Sequence, residues 1–285
     1  MSSPERGRDK ALRVSIFDPT GNITALVETP VEQETQAAVA ASVMERFPEV
    51  EQVGFVRLDT DNPRYTELRM AGGEFCGNAS MSAGALSLLR GGERVSGSGV
   101  WETVMLRVSG VSGEVQVRLK RETENGFRTS VRMPPVLSYT QEEFSYGTLG
   151  GTLPVVKAEG ISHAIITRES AFFSLLEDKN AAAEAIRKHC SILETDCLGW
   201  MFLEEEGKSL RLTPLVYVPG SGTLCWESSC ASGSAAVGTA LSERSGAPVR
   251  LELSEPCGVL TVESDGLSGE TRLLGMTRLV CTDML

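Results

Sequence analysis

The chain repeats one order of predicted elements in its two halves, and this repeat limits the available folds more than any other feature. In each half a predicted helix and strand lead to a loop rich in glycine or serine. The loop carries a cysteine, Cys76 or Cys230, and a helix of small residues follows at once. Three strand-like segments end each half. The repeat predicts an α+β fold of two pseudo-symmetric domains, in which strands wrap around a central helix as a sheet or barrel.

Hydrophobic periodicity and chain breakers set the bounds of the predicted elements. In the first half we predict one helix at 32–47 and a second that follows the Cys76 loop and runs through Leu89, with strands at 53–58, 100–108, 114–119 and 127–133. In the second half we predict helices at 181–189 and 235–244, with strands at 153–156, 164–167, 198–203 and 210–218. Two prolines at 134–135 mark the boundary. We therefore expect domains at 11–136 and 137–270, preceded by a flexible tail at 1–10.

Composition excludes several classes of partner. The net charge is −11, from 27 basic and 38 acidic side chains, which argues against nucleic acid or an anionic membrane surface. No apolar run reaches the roughly 20 residues that span a bilayer, and the polar start is no secretory signal. Seven scattered cysteines without a CxxC motif, and two histidines, predict no metal site and a reduced, cytoplasmic setting. The sequence leaves the oligomeric state open, a homodimer included.

The position of each cysteine, at the start of a helix, indicates chemistry. The first turn of a helix presents free N–H groups and about half a positive charge. A thiolate there is stabilised, so we expect the pKa of both cysteines to fall toward working pH. The same N–H groups bind a carboxylate, and the small residues after each cysteine allow a ligand to come close.

Two such helix starts facing each other across a cleft would grip the carboxylate of an amino acid. Its Cα would then lie between two sulfur atoms. One thiolate would remove the α-proton while the opposite thiol delivered a proton to the other face. This two-base inversion requires no pyridoxal phosphate or other cofactor. The amides would stabilise the charge that grows on the carboxylate in the transition state.

At these motifs the sequence resembles the diaminopimelate epimerase family, along nearly its whole length. Cys76-Gly77-Asn78 resembles the family's first catalytic motif, and Cys230-Ala231-Ser232-Gly233 resembles the second, with alanine in place of its first glycine. Gly21-Asn22 resembles a substrate-facing Gly-Asn. The segment from Gly160 to His163 is similar to Gly-Asn-Pro-His, and that from Gly199 to Met201 is similar to Gly-Phe-Met.

The resemblance implies an active site in the cleft between the domains, with Cys76 and Cys230 as catalytic residues. It also implies that the final strand, about 271–285, packs with the N-terminal domain. We expect substrate contacts from the residues of these motifs: Asn22, Gly77, Asn78, His163, Ala231, Ser232 and Gly233. Glu227 and Glu74 precede the cysteines, where either could pair with an ammonium or imidazole group or simply favour the helix start. We favour a site role for Glu227.

The departures from the family bear on the substrate. The asparagine of Gly-Asn-Pro-His is Ile161 here, and the asparagine before Gly-Phe-Met is Cys197. The family's Glu-Arg pair falls at Val218-Pro219. Without that arginine a distal carboxylate loses its bidentate partner, so diaminopimelate is not the expected substrate. The Gly-Gly-Glu-Phe-Cys-Gly-Asn and Glu-Ser-Ser-Cys segments most resemble histidine racemases of opine-metallophore pathways, which makes histidine the leading substrate.

Other hypotheses remain open from the sequence. The chain could invert or isomerise another amino acid, such as diaminopimelate or a hydroxyproline-like compound. It could be a carboxylate-binding module without catalysis, or a thiol-redox protein. Cysteine is most often a small buried residue, and we assign that role to Cys190, Cys225, Cys257 and Cys281. We expect His189 at the surface, at the end of its helix.

Overall fold

The structure is a computed structural model, and it describes residues 11–59, 62, 65–91, 99–207, 209–267 and 269–285. The tail predicted at 1–10 lies outside these residues. The described chain is one network of 16 strands with four α-helices packed inside and outside it.

The N-terminal half forms a closed barrel. Its own strands are β1 (Arg13–Pro19), β2 (Thr24–Val27), β3 (Gln52–Leu58), β4 (Tyr65–Met70), β5 (Trp101–Val108), β6 (Glu114–Arg121) and β7 (Gly126–Arg132). The last strand of the chain, β16 (Thr271–Met284), pairs with both β7 and β1 and closes the ring of eight strands. Helix α1 (Gln36–Arg46) packs on the outside of this barrel, and α2 (Gly77–Arg90) runs through it.

The C-terminal half forms an open sheet that continues from β16. Its strands are β8 (Val136–Tyr146), β9 (Leu149–Ala158), β10 (Ile161–Thr167), β11 (Leu198–Glu206), β12 (Ser209–Val218), β13 (Thr223–Trp226), β14 (Val249–Glu255) and β15 (Gly258–Ser264). Helix α3 (Lys179–Ile192) packs outside this sheet, and α4 (Ala231–Ser245) lies within it.

The predicted repeat is confirmed by the strand pairing. In the N-terminal half, β2 and β3 are parallel across α1, and β4 and β5 are parallel across α2. In the C-terminal half, β10 and β11 are parallel across α3, and β12 and β14 are parallel across α4. The other neighbouring strands within each half are antiparallel, and these pairs follow in the same order in both halves. Each half is thus one α+β unit. In each unit the central helix lies in the connection between two parallel strands.

The small residues of the central helices explain their position. Every residue of α2 from Gly77 to Leu88 is buried, and α4 is buried over most of its length. Alanine, glycine and serine let surrounding strands approach the helix closely, and the serine hydroxyls bond locally to backbone oxygens, as Ser82 does to Asn78. One hydrophobic cluster contains side chains of both helices and so joins the two halves. Among the described helices, none has the length and apolar character needed to cross a bilayer.

Several strands and one helix start differ from the sequence prediction. β1, β2, β4, β8 and β13 had not been predicted. Helix α4 begins at Ala231, four residues before the predicted start, because Cys230 caps it directly. The run Ala231-Ser232-Gly233-Ser234 belongs to the helix, with Gly233 against Met201 and Ser234 bonded to Glu255.

His189 is not at the surface, and that prediction is wrong. Its side chain is buried among aromatic rings, with centroids 4.6 Å from Phe144 and 5.7 Å from Trp200. Its Nδ1 lies 2.7 Å from the carbonyl oxygen of Ala185, and its Nε2 accepts from the backbone N–H of Ser145. Burial lowers the pKa of His189, because a charged ring would lose its hydration there.

We expect the stabilisation supplied by His189 to weaken in acid. The folded ring stays neutral while the unfolded ring gains a proton below about pH 6.5, so its contribution is present above that pH and is lost as pH falls. Between the unfolded and the lowered folded pKa the loss grows by at most about 1.4 kcal/mol per pH unit. Urea unfolding of the parent and a His189→Gln variant from neutral to acid pH measures this. The cost of the variant should shrink as pH falls, and a constant cost would contradict the assignment.

Candidate active site

The two central helices begin in nearly the same way. Cys76 caps α2 with φ −133° and ψ 114°, and Cys230 caps α4 with φ −130° and ψ 102°. Each sulfur accepts the backbone N–H three residues later, at 3.4 Å from Ala79 N and 3.4 Å from Gly233 N. The extended cap conformation turns each side chain back over the helix start, as at an ordinary N-cap. The sequence prediction of a cysteine at each helix start is therefore confirmed.

The two helix starts lie against each other. A Cβ atom built on Gly77 would lie 2.7 Å from the Cβ of Ala231, which is closer than non-bonded carbons approach. The backbone of α2 therefore contacts the first residue of α4 with no space between them. The side-chain amide of Asn78 also donates to the carbonyl oxygen of Ser229, at 3.0 Å. The N-terminal and C-terminal halves meet at the two cysteines.

Both cysteines line one small cavity of about 30 Å³. Five of the eight residues predicted for substrate contact join the cysteines in its wall. The lining residues are Gln52, Glu74, Phe75, Cys76, Gly77, Asn78, Ile161, Cys197, Val216, Val218, Glu227, Cys230, Ala231 and Ser232. The described residues of this wall include carboxyl and thiol groups but no lysine or arginine.

A loop of the C-terminal half, Glu227–Ser229, is held by side chains of the N-terminal half. Gln52 donates to the carboxyl of Glu227 at 2.9 Å. The carboxyl of Glu51 accepts from the backbone N–H of Ser228 at 3.0 Å. With the bond from Asn78, three contacts therefore cross the cleft beside Cys230 and hold the two halves together.

The expectation of a lowered thiol pKa is wrong for this closed conformation. Burial raises the pKa of the Cys76 thiol well above its usual range; the N–H of Ala79 opposes the rise, and Glu227 and Glu74 add to it. Burial also raises the pKa of Cys230, as do the charges of Glu227 and Glu255. The helix N–H groups act in the predicted direction, but the loss of hydration outweighs them.

Two buried carboxyl groups flank Cys230. Burial raises the pKa of Glu227 to about 8, against its hydrogen bonds to Cys230 and Gln52. Burial likewise raises the pKa of Glu255 to about 8, against its bond from Ser234 and its bond from the amide of Cys230. A carboxyl group that titrates near neutral pH is suited to exchange protons with a neighbouring group.

Three predicted contact residues lie beside this cavity and not in its wall. Asn22 is buried and donates to Glu51 at 3.1 Å, so it supports the loop that Glu51 holds. Gly233 is turned to Cys230 through its N–H. His163 lines a separate, mostly apolar cavity of about 20 Å³ together with Ser232, and burial lowers its pKa to about 3. The structure thus does not bring His163 to the wall that carries both cysteines.

Three polar residues near the cysteines were missed from the sequence: Glu51, Gln52 and Glu255. A signal for Glu255 is present in strand β14, where Leu251, Leu253 and Glu255 alternate on one face and so predict an inward carboxyl. Glu51 immediately precedes the buried strand β3 and Gln52 is its first residue, at the strand end that faces the cysteine loops. Polar residues at such a strand end are candidates for a site.

Solved structures share this architecture. A predicted epimerase from Pseudomonas aeruginosa matches 96% of this chain and 99% of its own, with a TM-score of 0.65 and 16% identity. A hydroxyproline epimerase from Agrobacterium vitis, with bound trans-4-hydroxy-L-proline, matches 97% of this chain and 93% of its own, with a TM-score of 0.65 and 13% identity. At these identities the likeness shows the fold.

The fold and the two cysteine-capped helices define an isomerase of the racemase and epimerase class. Sequence comparison makes the assignment narrower. The family described as histidine racemase CntK N-terminal domain matches residues 12–281. A histidine racemase of Fusobacterium nucleatum is 30% identical over 240 residues, covering 81% of this chain and 82% of the relative. One of Staphylococcus aureus is 25% identical over 279 residues, covering 96% and 97%. The chain belongs to the histidine racemase family.

Proposed function

We propose that this protein racemises histidine by a two-base mechanism in which Cys76 and Cys230 act on opposite faces of Cα. The observation that carries the proposal is the meeting of two cysteine-capped helix starts at one cavity. A thiolate on one side takes the α-proton and becomes a thiol. The thiol on the other side gives its proton to the carbanion and becomes a thiolate. The product has inverted configuration, and the two sulfurs have exchanged roles.

The substrate carboxylate has a binding position at the helix starts. Ala79 N and Gly233 N are already directed to the two sulfurs. The preceding residues of each first turn, Gly77 and Asn78 on α2 and Ala231 and Ser232 on α4, line the shared cavity, and the first N–H groups of a helix have no partner within the helix. Amides aimed at a carboxylate stabilise the charge that builds on it as the α-proton leaves, with about 3 to 4 kcal/mol for one donor. This stabilisation of the carboxylate by backbone amides requires no pyridoxal phosphate.

A neighbouring acidic cavity supports histidine as the substrate. It has a volume of about 150 Å³ and shares Gln52, Glu74 and Glu227 with the cavity of the cysteines. Glu51, Ser221, Thr223 and Cys225 complete its polar lining. Carboxyl and amide oxygens accept the N–H groups of an imidazole, and carboxylates stabilise its protonated form. We therefore place the side chain of the substrate in this cavity, with Glu227 between the ring and Cys230.

The same cavity is unsuited to a substrate with a second carboxylate. Of the described residues that line it, none is a lysine or arginine, and three are glutamates. A distal carboxylate would meet like charges without a bidentate partner. This argues against diaminopimelate and agrees with the departures from the epimerase motifs at Cys197 and Val218-Pro219.

Incubation of the reduced protein in D2O with a panel of L-amino acids tests the proposal. We expect histidine to gain deuterium at Cα and lose optical rotation together, at least about tenfold faster than alanine, lysine, diaminopimelate or trans-4-hydroxy-L-proline. Proton NMR follows the exchange and chiral chromatography follows the inversion. Faster inversion of hydroxyproline or diaminopimelate would assign the protein to another substrate. Binding without exchange of any amino acid would support a carboxylate-binding module and reject the enzyme.

The domain bounds, the oligomeric state and the location of the protein can each be tested. We propose domains at 11–136 and 137–270, with β16 added to the first domain, and limited proteolysis near 134–137 tests these bounds. Light scattering tests a homodimer. Fractionation of cells tests the cytoplasmic location. A small amino acid as partner agrees with the racemase relatives.

A further inference from the structure

Two buried hydrogen-bond acceptors beside Cys76 have no partner within the part of the chain that the structure describes. They are Oε2 of Glu74, two residues before the cysteine, and Oδ1 of Asn78, two residues after it. Both residues line the cavity of the cysteines, and Asn78 is only 2% exposed. A buried acceptor without a donor costs free energy and requires an explanation. At the wall of a binding cavity, these two oxygens indicate donors that the ligand supplies.

The contact between Asn78 and Ser229 determines which end of the Asn78 amide is free. The amide nitrogen of Asn78 donates to the carbonyl oxygen of Ser229 at 3.0 Å. Because a carbonyl oxygen can only accept, the nitrogen must face it, and the amide oxygen is the end that remains without a donor. The C-terminal half thus fixes the orientation of Asn78 and leaves its acceptor available.

The carboxyl of Glu74 lies over the loop that precedes it and not at the start of α2. A Cβ atom built on Gly72 would lie 2.5 Å from Oε2 of Glu74, so the glycine leaves the space that this oxygen occupies. Cys76 caps α2 itself, and the first turn of the helix contains no acidic residue. This position does not fit the alternative role of Glu74 as an acid that favours the helix start. Glu74 instead lines both the cavity of the cysteines and the neighbouring acidic cavity.

An amino acid brings one further group to the site, its α-ammonium. The carboxylate is placed at the helix starts and the imidazole beside Glu227, which already accepts from Gln52 at 2.9 Å. The ammonium has three N–H donors and no acceptor. Because burial removes its hydration, a cation in this cavity needs a carboxylate and further acceptors around it. Glu74 and Asn78 offer one carboxyl oxygen and one neutral oxygen.

A bound ammonium and an ionised Glu74 support each other. Burial raises the pKa of Glu74, against the backbone N–H groups of Glu74 and Gly72 and the charge of Arg69. A second positive charge beside the carboxyl favours its ionised form and lowers the pKa again. The substrate therefore completes the set of groups that keep Glu74 charged.

We infer that Glu74 and Asn78 form the binding site for the α-ammonium of the substrate, with Oε2 of Glu74 and Oδ1 of Asn78 each accepting one of its N–H groups. This assignment rests on the proposed function. Both residues belong to the N-terminal half, whereas Glu227 belongs to the C-terminal half. The ammonium and the side chain of the substrate are thus held by different halves, which places Cα between the two cysteines. Glu74 and Asn78 bind the substrate and transfer no proton.

Calorimetric titration with L-histidine and with imidazolepropionate, which is histidine without its α-ammonium, tests this site. Glu74→Gln removes the charge with little change in size. We expect the Kd of histidine to rise about tenfold in this variant, the equivalent of about 1.4 kcal/mol. The Kd of imidazolepropionate should change by less than about twofold, because this compound has no ammonium to pair. Inversion of histidine during the titration adds no heat, since the two enantiomers have equal enthalpy.

Two further variants change the same site in other ways. Gly72→Ala adds a methyl group where Oε2 of Glu74 lies, so it displaces the carboxyl without removing its charge. Asn78→Ala removes the neutral acceptor together with the contact to Ser229. Loss of that contact affects both compounds alike, so the difference between the two Kd values reports the acceptor. Each variant should weaken the binding of histidine more than that of imidazolepropionate.

Two glutamates serve as comparisons. Glu227→Gln should raise the Kd of both compounds, because both carry the imidazole ring. Glu67→Gln is the matched control outside the site. Glu67 is partly exposed, pairs with Arg57 at 3.6 Å and lines neither cavity, so both Kd values should stay at those of the parent.

The inference is overturned if Glu74→Gln leaves histidine binding unchanged or weakens both compounds equally. It is also overturned if Glu227→Gln, and not Glu74→Gln, separates the two compounds. Either result in a parent that inverts histidine would leave the proposed function standing. If the parent inverts a different amino acid, that amino acid and its analogue without the ammonium replace the pair, and the same comparison decides the role of Glu74. A parent that binds no amino acid would reject the proposed function and the ammonium site together.

Discussion

Replacing either Cys76 or Cys230 by serine is expected to abolish interconversion of L- and D-histidine, with a loss of about 10³-fold or more. The serine hydroxyl has nearly the size of the thiol. It is a far weaker acid, so it does not ionise at neutral pH and cannot act as the base. Each variant should still exchange the α-hydrogen of one enantiomer in D2O, because the remaining thiol serves one face of Cα. Chiral chromatography measures inversion, and NMR measures exchange.

The control for the cysteine variants is Cys281→Ser. Cys281 was predicted to be buried, as was Cys257, but both are exposed and that prediction is wrong. Cys281 lies on β16 and does not line the cavity, so racemisation should continue at the parent rate. If Cys76→Ser or Cys230→Ser still inverted histidine at the parent rate, the assignment of bases would be wrong. If both variants exchanged the same enantiomer, the two sulfurs would not lie on opposite faces.

Gly77→Ala is expected to lower kcat/KM by about 10²-fold, because a misplacement of roughly 1 Å near the reacting atoms has that effect. The new methyl group would lie 2.7 Å from the Cβ of Ala231, so the two helix starts must move apart. Their separation sets the distance between the cysteines. Adding Ala231→Gly removes the clashing methyl group, and the double variant should recover most of the lost activity.

Gly150→Ala is the matched control for Gly77→Ala. A Cβ at Gly150 meets a single atom at 3.9 Å, so this change should affect neither activity nor melting temperature. Steady-state kinetics with histidine and thermal unfolding are measured on each protein. A double variant as inactive as Gly77→Ala would show that the glycine is needed for another reason, such as its free amide.

The repeat of the two halves and the central helix of each could be predicted from the sequence, because both depend on local sequence patterns. A cysteine after a glycine-rich loop and before a run of small residues, as at Cys76, identifies a cap without knowledge of the surrounding sheet. Strand β8 was missed because it is a half-exposed edge strand with a weak alternation. Strand β4 alternates clearly but is short and borders a loop.

The electrostatic surroundings of the site could not be predicted from local pattern. Glu255 follows Cys230 by 25 residues and reaches its amide only because β14 lies parallel to β12. Glu51 and Gln52 reach the loop at Glu227 from the other half of the chain. A position at a helix start predicts a lowered thiol pKa. Burial in the cleft raises the pKa of both thiols instead. Burial depends on tertiary packing, which the motif does not encode.

Strand β16 has a consequence for how the chain folds. Its partners β1 and β7 belong to the first half, yet it follows the whole second half in sequence. During synthesis the first barrel must therefore wait, with an unpaired edge on both β1 and β7, until β16 has left the ribosome. Pairing over such a separation is slow because a long loop must close first. The two halves therefore complete their folding together. Removal of β16 would leave the N-terminal barrel open between β1 and β7.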